Sequence, residues 1–495
     1  MHNLLDVKLI FGLINRAILA IFLEPLCRAM LNPISPNTLQ CNAEKLLADE
    51  RVRYLQIHPR SIALSKQANQ HFLYGVPMHW MNDWGTPTPL FVERAHGAHF
   101  TCADNIDHTD FCLGDTGAMF GHNPAPVAKA IVAQASRGYT TMLPSTLAPD
   151  VGAALAEHFG LPYWQLATTA TDANRFVLRW ARAVTGRKKL LVFDGCYHGT
   201  VDDTMVDVAM LDATNLDSGH GNTINRASLL GQVHDLGVHT VAVAFNDIAA
   251  VERELATGEI ACILTEPALT NCGMVPAEAG FIEALRALTI KYGSLLVLDE
   301  THTISTGRGG WAKNNSVVPD FLVVGKPIAG GLPAAAYGFS NELATRMKAA
   351  KDSAPAGHSG IGTTLSGNMM TLAAIHATLT EVATEAAYMH MLTLAESLEL
   401  QLTASIKSHK LPWTINRLGA RLELQFCVET PKNAQEARAA QNDILEGAIH
   451  LYLLNRGILL TPFHNMMLVC PETSHDDIES LVAVFNECVN KLTRL

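Results

Sequence analysis

At 495 residues, 48% of them hydrophobic and 17% charged, the chain exceeds one ordinary core, so a large domain with a smaller one appended is expected. A net charge of −11 gives no support to nucleic-acid binding, which normally needs a basic face, and leaves a small molecule as the default partner. The ten cysteines are scattered without a CxxC pair, as in a reducing cytosol, and the 21 histidines show no HExxH or Cys/His spacing, so neither a disulfide framework nor a metal site is expected.

In chain order, the first segment is the apolar run at residues 9–23, interrupted by Arg16. It is short for a membrane span, and no small-residue cleavage site follows it. It reads as an amphipathic helix capping the body or a partner subunit, with anchoring at a membrane surface as the alternative. Residues 1–45 are therefore set apart as an N-terminal extension, and 46–110 as a segment packing with a smaller domain.

From there the pattern becomes that of an α/β protein. Residues 164–167, 189–193, 240–245, 261–265 and 295–298 are apolar strands, and 172–184 and 281–292 are helices. Such alternation predicts a mostly parallel sheet covered by helices over 111–370. The polar, turn-rich stretch 212–225 reads as a mobile flap. Over 371–495 the pattern shifts to a smaller α+β domain, with helices at 370–406 and 433–456 and strands near 415–418 and 422–426.

In open α/β sheets chemistry collects beyond the carboxyl ends of the strands. Lys326 stands there, in Gly325-Lys326-Pro327 ahead of Gly330-Gly331. A buried ammonium must be paired or deprotonated, and deprotonation makes it a nucleophile able to carry a cofactor as a Schiff base. Taken alone, it is equally a surface lysine at a strand end. Asp299 ends another apolar strand and needs a positive partner, which a protonated pyridine nitrogen or an Arg or Lys would supply. Thr169-Ala170-Thr171 opens a helix, where hydroxyls and unpaired N–H groups suit a phosphate or an ordinary cap. Tyr197, between Gly195 and Gly199, is placed to stack on a flat ring or simply to pack in its loop, and His198 beside it is equally a core histidine.

The chain carries, in order, Gly121-His122-Asn123-Pro124, Thr169-Ala170-Thr171-Asp172-Ala173-Asn174, Gly195-Cys196-Tyr197-His198-Gly199, Glu266-Pro267, Leu298-Asp299-Glu300, Gly325-Lys326 and Thr364-Leu365-Ser366-Gly367-Asn368. With these it resembles the class III aminotransferases, pyridoxal-phosphate enzymes of fold type I that include glutamate-1-semialdehyde aminomutase. The resemblance implies that Lys326 carries pyridoxal 5'-phosphate and moves the proton, and that Asp299 binds the pyridine nitrogen. It further implies that Thr169, Ala170 and Thr171 cradle the phosphate, with Thr364 reaching it from the neighbouring subunit of a homodimer whose active site lies at the interface. Tyr197 and Thr301 would lie against the two ring faces. Glu266, His302 and His198 match the remaining cofactor-binding positions.

Some positions depart from the family pattern. Ala170 replaces a usual glycine, so the phosphate turn must avoid positive φ. The segment Thr301-His302-Thr303-Ile304-Ser305-Thr306 lacks a common arginine, and Met81 stands where the aminomutase has the arginine that holds its substrate carboxylate. A thioether cannot replace a bidentate Arg–carboxylate contact. The expectation is therefore a transaminase moving an amino group from an amino acid or amine donor to a carbonyl acceptor. An intramolecular aminomutase, a racemase and a non-catalytic binding protein on the same fold are the alternatives. His79, Trp80 and Trp84 suggest an aromatic pocket wall or a core patch, and Arg308 is the nearest other carboxylate binder. A P-loop fails because Pro327 follows Gly325-Lys326.

Overall fold

The computed structural model describes residues 35–209 and 223–494, so the apolar run at 9–23 lies outside the described residues. Seven strands form the main sheet: β1 Tyr163–Ala167, β2 Lys189–Phe193, β3 Thr240–Val243, β4 Ile260–Thr265, β5 Leu295–Asp299, β6 Phe321–Val324 and β7 Ala335–Phe339. Their spatial order is β1-β7-β6-β5-β4-β2-β3. Neighbours from β6 through β3 run parallel, whereas β7 is antiparallel to both β6 and β1. The exception has a physical cause. Residues 325–334 alone join β6 to β7, too few for a parallel crossover, so the chain turns back. That short link begins with Lys326.

Every residue of β4, β5, β6 and β7 is buried, as a sheet covered on both faces requires. Helix α2, Ala170–Thr185, covers one stretch, burying Ala173, Phe176, Val177 and Ala181, and ends at Gly186 in the left-handed conformation. Helix α3, Phe281–Tyr292, has the predicted bounds.

The C-terminal unit pairs β8 Thr414–Leu418 with β9 Arg421–Gln425, antiparallel, and β9 with Met467–Leu468. The continuous helices predicted at 370–406 and 433–456 are each broken. Met369–Ala377 passes into a π-turn, and a new helix, Glu385–Ser408, starts where the Thr384 side chain accepts from the Ala387 N–H. Asn442 likewise accepts from the Leu445 N–H and starts Asp443–Leu454. Side chains of this type satisfy orphan amides and begin a fresh helix.

Helix α1, Pro36–Ile57, packs against Asp443–Leu454 and His475–Arg494. Its Asn42 donates to the Leu492 carbonyl at 2.8 Å, and Glu50 pairs with Arg456 at 2.9 Å. The expected boundary at residue 45 thus falls inside one helix. Of the stretch expected to be a flap, Thr223–Asn225 is a strand paired with Val206–Val208, and 212–222 lie outside the described residues.

Candidate active site

Lys326 follows Gly325 at the carboxyl end of β6, with φ of 46°. A left-handed backbone at a non-glycine residue costs about 1 kcal/mol and persists where the surroundings impose it. It stands at a cavity of about 330 Å³ lined also by Thr169, Ala170, Thr171, Tyr197, Glu266, Asp299, Thr301 and His302. Lys326 Nζ lies 2.7 Å from Asp115 Oδ2 and 2.8 Å from His302 Nε2.

Asp299 forms part of the same lining from the end of β5. Its Oδ2 accepts from Asn174 Nδ2 at 2.7 Å and pairs with His198 Nδ1 at 3.0 Å; its Oδ1 accepts from the Thr301 N–H at 3.0 Å and hydroxyl at 2.6 Å. Burial pushes this carboxyl up, but the hydrogen bonds from His198, Thr301 and Asn174 outweigh it and hold the group at about 2. Burial pushes His198 down, and its neighbours Cys196 and Asp299 more than offset that, carrying it up to about 10. A carboxylate kept charged beside a cavity fits a protonated heteroaromatic nitrogen. His198 itself, assigned from sequence to the cofactor, does not line the cavity; it is fully buried and backs Asp299.

Thr169 caps α2, its hydroxyl accepting from the Asp172 N–H at 3.1 Å. Ala170 and Thr171 then supply the first helical N–H groups, which have no preceding turn to bond. Ala170 is free of positive φ, because it occupies an ordinary helical position. Two glycines keep this corner open. A Cβ on Gly199, whose φ is +78°, would collide with Thr171, and one on Gly325 would come within 3.0 Å of Ala170 Cβ. A helix N-terminus with hydroxyls and close-set backbone fits a phosphate. Thr364 is exposed and outside the lining of its own chain's cavity, although Thr363 beside it brings its hydroxyl 3.4 Å from that of Thr168.

Glu266 is buried, accepting from the Thr270 hydroxyl at 2.5 Å and the Tyr197 N–H at 3.4 Å; burial raises it to about 7. Burial also raises Tyr197. Arg308 is not brought to this cavity: it pairs with Glu157 at 2.8 Å and lies 3.9 Å from Glu385 at a different recess. Trp80, Met81 and Trp84 line a separate apolar cavity of about 470 Å³, with the two indoles stacked 6.0 Å apart. His79 is not in that lining.

Sequence reasoning missed Asp115 and Arg421. Arg421 is fully buried on β9, donating to Thr116 Oγ1 and His302 Nδ1 at 2.9 Å each and to Asp115 Oδ1 at 3.2 Å. Burial pushes Asp115 up, but the contacts with Lys326 and Arg421 hold it well below the carboxylate range. The one available signal was an arginine alternating with leucine in a strand, Arg421-Leu422-Glu423-Leu424.

A mostly parallel sheet with a lysine beyond one strand, a charged aspartate beyond the next and a helix N-terminus between them defines a pyridoxal-phosphate-dependent enzyme of fold type I. The family model for class-III aminotransferases matches residues 80–489, and the chain belongs to that family. It is 31% identical to glutamate-1-semialdehyde 2,1-aminomutase 2 of Bacillus cereus strain AH187, over 88% of this chain and 98% of that protein. A solved glutamate-1-semialdehyde aminomutase from Pseudomonas aeruginosa PAO1 superposes with a TM-score of 0.87 at 45% identity, covering 91% of this chain and 99% of that one. A β-phenylalanine aminotransferase from Variovorax paradoxus shares the fold, with a TM-score of 0.78 at 24% identity over 90% of this chain and 97% of its own. Pyridoxal phosphate is the cofactor. Among the described residues no helix is long and apolar enough to cross a membrane.

Proposed function

We propose that the chain moves an amino group between two carbons of one substrate, as an aminomutase, with Lys326 as the residue that attaches the cofactor and shuttles the proton. The observation that carries amino-group chemistry is the placing of Lys326 Nζ, between Asp115 and His302, at the same cavity as the charged Asp299. The names of the relatives at 31% and 45% identity support the intramolecular reading. When bound, the cofactor draws electrons from the carbon bearing the nitrogen. The residues of this chain do the rest. Asp299 would hold the pyridine nitrogen, Thr169, Ala170 and Thr171 would hold the phosphate, Tyr197 and Thr301 would flank the ring, and Glu266 and His302 would lie toward its substituents.

The second reading is transamination between a separate donor and acceptor, which sequence reasoning ranked first. Met81 favours it, since a thioether cannot hold the substrate carboxylate that the aminomutase reading requires, and Arg308 is engaged elsewhere. We also read the protein as a homodimer, in which the partner subunit's Thr364 closes the phosphate side. Exposed Tyr139, Met142, Leu143 and Leu365 support it, on two loops that the backbone bond from Met369 to Tyr139 holds together.

The deciding experiment supplies the pyridoxal-phosphate-loaded protein with glutamate-1-semialdehyde alone, then with amine and keto-acid pairs, and follows products and the cofactor's absorbance. Conversion of the single substrate without an acceptor supports the aminomutase. Turnover that needs both partners supports the transaminase. A spectrum unchanged by pyridoxal phosphate overturns both.

A further inference from the structure

His302 bridges two groups that are ordinarily donors. On one side Arg421 Nη1 is 2.9 Å from Nδ1; on the other Lys326 Nζ is 2.8 Å from Nε2. A guanidinium has no acceptor and does not deprotonate, so Nδ1 must offer its lone pair. Thr116, whose hydroxyl lies 2.9 Å from the same Nδ1, accepts from the same guanidinium nitrogen. With Nδ1 accepting, the ring carries a single proton. That proton belongs on Nε2. Two N–H groups cannot face each other across 2.8 Å, so the contact is satisfied when Lys326 Nζ receives the His302 Nε2–H on its lone pair and gives an N–H to Asp115 Oδ2, 2.7 Å away.

We propose that Arg421 fixes His302 as the Nε2–H tautomer, and that His302 and Asp115, donor and acceptor, together present Lys326 as an amine with its lone pair available for attaching the cofactor. Arg421, His302 and Asp115 are positioning residues of Lys326. The inference rests on the reading that Lys326 attaches the cofactor, but its hydrogen-bond logic involves this chain alone. Asp115 opposes His302 in effect, since a carboxylate favours an ammonium and an N–H donor favours the free amine. Asp299, Glu266 and Tyr197 are the other titratable groups of the cavity, and all stand in the background of each variant alike.

The test uses the cofactor-free protein. Acetic anhydride is pulsed at pH 7, and acetylation of Lys326 is read by peptide mass spectrometry against the exposed Lys129. His302→Phe leaves Lys326 facing Asp115 alone and lowers labelling about tenfold. Asp115→Asn raises it. His302→Gln, whose amide carries both an acceptor and a donor, stays within about twofold of wild type. A purely structural role moves the first two variants in the same direction, and that result, or wild-type labelling in His302→Phe, overturns the proposal. Should His302→Phe not fold, imidazole 15N spectra of the wild-type protein decide the same point: Nε2 of His302 carries the proton, and finding it on Nδ1 overturns the proposal. Because no cofactor is present, failure here leaves the cofactor assignment standing on its own absorbance test.

Discussion

His198 Nδ1 and Asp299 Oδ2 lie 3.0 Å apart, both buried, with the imidazole behind the carboxylate. The pair sets a pH window for stability. His198 is raised in the fold from 6.5 to about 10, so its contribution is complete below 6.5 and is lost as pH rises through about 10. Asp299 is depressed from 3.8 to about 2, so its contribution is present above 3.8 and is lost as pH falls through about 2. His198→Gln should therefore lower the melting temperature most near neutral pH, with the gap closing as the buffer passes about pH 10. A gap of constant size across that range would mean that the imidazole is not charged.

Replacing Lys326 should separate cofactor binding from cofactor attachment. Lys326→Ala is expected to bind pyridoxal phosphate reversibly, to yield no cofactor-bearing peptide after borohydride reduction, and to lose activity by at least about a thousandfold. Recovery of the label on a different lysine would displace Lys326 from its role.

At the phosphate corner, Gly199→Ala adds a methyl into Thr171 at a backbone angle alanine resists. Cofactor affinity should fall by about tenfold in an equilibrium titration, and stability by about 1 to 3 kcal/mol. An unaltered titration would place the phosphate elsewhere.

Thr301→Val preserves shape and the backbone N–H to Asp299 but deletes the 2.6 Å hydroxyl bond. The loss is worth about 1 kcal/mol, which corresponds to roughly a fivefold fall in kcat/KM with the cofactor still attached. Full loss of attachment would show instead that the hydroxyl serves Lys326.

For the assembly, Leu143→Asp puts a charge on a side chain that is 77% exposed in the single chain. Sedimentation should report a shift from dimer to monomer, together with weaker cofactor retention. A protein that sediments as a monomer before substitution would remove the partner subunit's Thr364 from the site.

The parts legible in the sequence were those whose cause is local. Asp299 and Lys326 betray themselves because a polar residue ends an apolar strand, and α3 had its bounds because Gly280 and Gly293 flank it. The breaks before Glu385 and Asp443 were also written locally, in the caps Thr384 and Asn442, but the apolar periodicity on either side masked them. Asp115 and Arg421 could not be read this way. Asp115 meets a lysine 211 positions away and an arginine 306 positions away, and neither partner's neighbourhood announces it. His198 was assigned to the cofactor from its motif, whereas the structure buries it against Asp299 and outside the cavity lining.

The reach of Arg421 from β9 to Asp115 and His302 also bears on how the protein matures. A chain emerging from the ribosome has its main sheet and its lysine complete long before β9 is made. Until then His302 has no guanidinium to hold its ring, and Asp115 faces Lys326 and His302 without it. The arrangement of His302 and Asp115 around Lys326 is thus completed only when that strand of the C-terminal unit arrives.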